Sequence, residues 1–71
     1  MNVGASIRSI REKKGMSQVE LAEKVNVTQS MLCQIERGTK SPSLPLSTEI
    51  AVALGCTLND IVNGELPEEG R

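Results

Sequence analysis

The 71-residue sequence predicts an all-α fold, a compact bundle of five short helices. Two observations carry that expectation. Apolar residues recur at helical spacing and nowhere in the strict alternation of a strand. Capping residues and glycines then punctuate the chain so that its connections are only about two to six residues long. At this length folding withdraws roughly 60% of the exposable surface from water, so one core must serve the whole chain. With 38% apolar and 24% charged residues, the composition is that of a soluble globular domain.

The first helix is expected from about Val3 to Lys14, with Val3, Ile7 and Ile10 on one stripe and Gly15 just past its end. Ser17-Gln-Val-Glu20 is a capping box opening a second helix that turns Leu21, Ala22 and Val25 inward. Asn26 suits the left-handed residue of a tight break. Thr28 caps a third helix running to about Arg37 and stopped by Gly38. Thr39 to Pro42 reads as a loop and Ser43 as the cap of a fourth helix, with Pro45 in its first turn, where a missing N–H costs little. Leu46, Ile50, Ala51 and Leu54 form its apolar side, ended by Gly55. Thr57 caps a last short helix through Leu58, Ile61 and Val62, ending near Gly64. The domain is therefore expected over residues 1–64, and residues 65–71 as a frayed, polar, acidic tail.

Composition also excludes chemistry. The chain has no histidine, and Cys33 and Cys56 stand 23 positions apart, so four zinc ligands cannot be assembled and no metal is expected. Aromatic residues are absent, which removes the stacking platforms of single-stranded nucleic-acid binders. No nucleophile–base pair is visible, so neither catalysis nor a cofactor is expected. The opening residues carry no basic, apolar leader, and the longest apolar run, Ile50 to Leu54, is far short of a membrane span. The reading is cytoplasmic, with reduced thiols. Net charge is −1, yet residues 1–40 balance to +3 and residues 41–71 to −4, so the first part is the one suited to phosphates.

On a helical wheel, Gln29, Ser30, Cys33, Gln34 and Arg37 fall within an arc of roughly 140°, with Leu32 and Ile35 opposite and Met31 at the border. Helices of this size usually expose Glu/Lys pairs; this one exposes amides, a hydroxyl, a thiol and one guanidinium. Glutamine donates and accepts at once, which matches the N6/N7 edge of adenine. A short helix, a tight break and a second helix so decorated form the arrangement that places the second helix in a major groove.

The run Ile10-Arg-Glu-Lys-Lys-Gly-Met-Ser-Gln-Val-Glu-Leu-Ala-Glu-Lys-Val-Asn-Val-Thr-Gln-Ser, with Ile35-Glu-Arg-Gly, Pro42-Ser-Leu and Ile50-Ala-Val-Ala-Leu-Gly, resembles the phage-repressor (Cro/CI-like, or XRE) helix-turn-helix family over roughly residues 5–63. The resemblance implies a five-helix DNA-binding domain that acts as a dimer on a near-palindromic operator. Carried over by position, it implies base contacts by Gln29, Ser30 and Gln34, with Cys33 at a groove-facing position of open preference. It implies phosphate contacts by Gln18, Thr28, Arg37 and Lys40, and an ion pair between Arg11 and Glu36. Asn26 stands where relatives usually have glycine. Pro45 and Ser47 replace residues that form or pack the fourth helix, so a late start or loose packing is expected there.

The partners expected are therefore double-stranded DNA and a second copy of the chain, the latter through Leu58, Val62 and Leu66 near the end. The competing reading is a protein-interaction module, an antitoxin or adaptor using the same scaffold and the same apolar residues. Arg8, Lys13 and Lys14 read as solvated surface, Cys56 as small apolar filler, and Met16 as core packing.

Overall fold

A computed structural model describes residues 3–63, and all five helices lie there: α1 (Val3–Lys13), α2 (Gln18–Lys24), α3 (Gln29–Arg37), α4 (Leu44–Leu54) and α5 (Leu58–Asn63). No strand occurs among the described residues. The expected end near Gly64, the tail 65–71 and Leu66 lie outside them.

Each start has a visible cause. The Ser17 hydroxyl accepts from the Glu20 amide at 3.0 Å while the Glu20 carboxylate accepts from the Ser17 amide at 2.9 Å, closing the reciprocal box. Thr28 accepts from the Met31 amide at 3.0 Å, and Ser43 from the Leu46 amide at 3.2 Å. Thr57 and Asp60 repeat the reciprocal pattern at α5, with aspartate in the role usually given to glutamate. The break between α2 and α3 turns on Asn26, whose φ of 60° is the left-handed conformation its short amide side chain tolerates.

The fourth helix corrects one expectation. It starts at Leu44, directly after its cap, because Pro45 sits in the first turn where no intrahelical donor is needed. Nor is its inner face loose: Ser47, Ile50, Ala51 and Leu54 are buried, and Leu46 packs against the core at partial burial. Leu44 and Val52 point outward.

The core gathers Ile7 and Ile10 of α1, Leu21 and Ala22 of α2, Val25, Leu32 and Ile35 of α3, Ile50, Ala51 and Leu54 of α4, and Ile61 of α5. Met16 and Cys56 pack against its margin. α1 lies against α3 and α5, while α3 also packs on α2. Gly4 sets the closest approach. A methyl group at that position would overlap the carbonyl oxygen of Ile35, so the start of α1 rests directly on the last turn of α3.

Candidate nucleic-acid interface

α3 divides as its wheel requires. Leu32, Ile35 and Glu36 are buried, Met31 is half-buried, and Gln29, Ser30, Gln34 and Arg37 are exposed, with Cys33 half-buried among them. Glu36 is the helix's lone carboxylate, and it faces inward. The exposed face therefore carries hydrogen-bonding groups and a cation but no anion, which suits a polyanionic partner.

What turns Glu36 inward is Arg11. The guanidinium meets the carboxylate in a fork, Nε to Oε2 at 2.8 Å and Nη2 to Oε1 at 3.1 Å, with both side chains nearly out of water. Hydrogen bonding to Glu36 raises the Arg11 pKa above its ordinary value against the opposing effect of burial. A third arm, Nη1, donates to the Met16 carbonyl at 2.8 Å and so holds the α1–α2 turn. One side chain thus ties α1, the entry to α2 and the end of α3 together.

Gln18 occupies the first position of α2, and its side chain faces into this cluster. Its Nε2 donates to Glu36 Oε1 at 3.1 Å, and its Oε1 accepts from Gln29 Nε2 at 3.4 Å, at the long end of the hydrogen-bond range. The residue expected at phosphate and the first residue expected at a base edge are therefore in contact. A shallow cleft beside them is lined by Arg8, Arg11, Gln18, Cys33, Glu36 and Arg37. Arg37 Nη1 lies 3.8 Å from the Cys33 sulfur. Arg8, read from the sequence as solvated surface, joins this rim while pairing with Glu12 at 3.2 Å.

The remaining residues are placed more simply. Thr28 is exposed, with its hydroxyl engaged as the α3 cap. Gly38 ends the helix in the left-handed conformation, φ 86°, and Lys40 follows exposed in the loop. Leu58 is half-buried and Val62 half-exposed, so only part of the surface expected at a dimer contact is free. Cys33 and Cys56 are both free thiols.

Sequence reasoning missed Gly4 and the inward contact of Gln18. A glycine inside an amphipathic helix gives up helix propensity, and that cost is the signal that could have pointed to the first. The second joins residues 18 apart in the chain across two helices, and no spacing rule reports it.

A second helix with an anion-free polar face, held on α2 through a four-residue break, is the architecture of a helix-turn-helix protein. The chain belongs to the helix-turn-helix family of the phage-repressor (XRE) type, whose model matches residues 7–61. It is 43% identical over 65 residues to the immunity repressor protein of Bacillus phage phi105, a match covering 92% of this chain and 45% of that protein. The chain thus spans under half the length of that relative. Its fold matches the crystal structure of the clp gene regulator ClgR from Corynebacterium glutamicum with a TM-score of 0.86, at 36% identity, over 89% of this chain and 67% of the other. The biofilm regulator SinR, solved in complex with DNA, matches with a TM-score of 0.79 at 33% identity, over 84% of this chain and 97% of the other.

Proposed function

We propose that this chain binds double-stranded DNA sequence-specifically and regulates transcription without catalysis, laying α3 in the major groove of a near-palindromic operator as a dimer. The observation that carries the reading is the exposed amide face of α3, cleared of carboxylate by the Arg11–Glu36 fork. Gln29 and Gln34 read base edges, and Ser30 and Cys33 line the same surface. Arg37, Lys40, Thr28 and the start of α2 at Gln18 meet phosphates, with Arg8 on the rim of the same cleft. The SinR complex supports DNA as the partner, and the regulator relatives support a non-enzymatic role. The half-exposed Val62, with Leu58 beside it and Leu66 beyond, supplies the second-copy contact that pairs two half-sites about 10 bp apart.

Selection of bound duplexes from a random pool tests binding, symmetry and base preference together. A palindrome should be enriched, and binding to it should weaken steeply with salt. Gln34→Ala should cost ~1–3 kcal/mol at one operator position while sparing nonspecific binding. A uniform loss over all sequences would remove Gln34 from base reading. A pool from which nothing is enriched favours the adaptor reading.

A further inference from the structure

We infer that the outer face of α4 docks a second copy of this chain, in a two-fold contact where Lys24 of each copy meets Glu49 of the other. The contact stands apart from the DNA reading and from the proposed α5 contact. α4 carries apolar residues on both sides. Ile50, Ala51 and Leu54 fill the core, yet Leu44 and Val52 are 68% and 75% exposed on the other side. Thr48 lies between them, so the three form a stripe at four-residue spacing. Glu49 is the single charge of the helix. A helix with so little polar surface is ordinarily covered all round. Here the described residues cover only the inner face.

Charge decides what covers the outer face. Thr48, Val52 and Ala53 line a shallow cleft against the end of α2, with Lys24 and Glu49 at its rim. Both charges are exposed, and neither is in an ion pair among the described residues. A surface holding one cation and one anion beside an apolar floor is its own complement. A two-fold axis lying in the contact plane between Lys24 and Glu49 sets each opposite its counterpart in the other copy, twice. The same operation brings Val52 toward its own image. A partner of uniform charge gains at one rim and loses at the other, whereas a second copy gains at both. The net charge of −1 leaves little repulsion between copies. Neither Leu58 nor Val62 lines this cleft, so a chain that also pairs through α5 assembles past the dimer.

Sedimentation equilibrium of the full chain without DNA, at low salt and from micromolar to millimolar concentration, tests the contact. A Val62→Lys background removes α5 pairing and leaves the α4 step alone, which should appear as a reversible monomer–dimer equilibrium. In that background Lys24→Glu and Glu49→Lys should each weaken association about tenfold, because like charges then face each other at both rims. An equimolar mixture of the two variants should associate to within about threefold of the parent, since each supplies the charge the other lacks. Val52→Lys should weaken association by more than about tenfold, because it puts a charge on the apolar floor. Thermal melting verifies that these exposed substitutions leave the fold intact, and if Val62→Lys does not fold, the same variants are compared in the wild-type chain. A chain that stays monomeric throughout gives the face to a different protein and overturns the inference. Association that ignores the charge reversals overturns it too, as does a mixture that associates no better than either variant alone. The α5 contact fails separately, if Val62→Lys leaves the wild-type association unaltered.

Discussion

α1 to α3 and α4 to α5 are held by different means. In the first group, buried Arg11, Glu36 and Ser6 lie among the apolar side chains, and the polar chain from Arg11 runs out to Gln29. In the second, Ser47 is the buried polar residue among those described, and the side-chain hydrogen bonds are helix caps and a local Thr48-to-Leu44 bond. Apolar burial tolerates sliding, because it rewards area and volume. Directed bonds to a charged fork do not, because each atom has one place. The directed bonds thus sit in the group that holds the helices proposed to meet DNA, and the other two helices fill volume behind them.

The largest perturbation aims at the fork. Arg11→Ala should cost ~3–5 kcal/mol in denaturant unfolding, because it strands the Glu36 carboxylate in the core. The apolar double variant Arg11→Met/Glu36→Leu should recover most of that loss yet relax base preference at the Gln29 position. Recovered stability with unaltered preference would show that directed bonding does nothing that packing cannot.

Next comes Gly4, where the start of α1 lies against the backbone of α3. Gly4→Ala should cost about 2–3 kcal/mol, since the methyl group meets backbone that cannot rotate away. A neutral result in the same unfolding measurement would mean that the α1–α3 contact slides as freely as apolar packing elsewhere.

The smallest effect belongs to the second group. Burial, reinforced by Asp60 and opposed by Lys14, pushes the Cys56 thiol above its ordinary value. The thiolate therefore prefers the unfolded chain. This contribution to stability is complete below the unfolded-state pKa and disappears as pH rises through the folded one. Cys56→Ala should accordingly show a shallower fall in melting temperature on the alkaline side, and an identical slope would place Cys56 in a wetter setting than the fold gives it.

Much of this was legible before any coordinates. Ser17, Thr28, Ser43 and Thr57 start helices, and Gly38 and Gly55 end them, because capping depends on neighbours within three or four residues. The outward face of α3 was legible for the same reason, since a helical period reports it. Pro45 misled where it was weighed against a family pattern instead of against its place in the first turn. The contact of Gln18 with Glu36 was not legible, because it depends on how two helices cross and on which way an amide turns.

Gly38 has one further consequence. By ending α3 after Arg37 it fixes the length of the ridge, nine residues and so ~13 Å at 1.5 Å per residue. Laid along a duplex whose steps rise 3.4 Å, such a ridge spans about four base pairs. Gln29 and Gln34, five positions apart, sit ~7.5 Å apart along the axis, or about two steps. The left-handed residue at the end of the helix is thus a ruler. On the proposed reading it would limit how many letters one copy can sound, leaving the rest of any longer word to another.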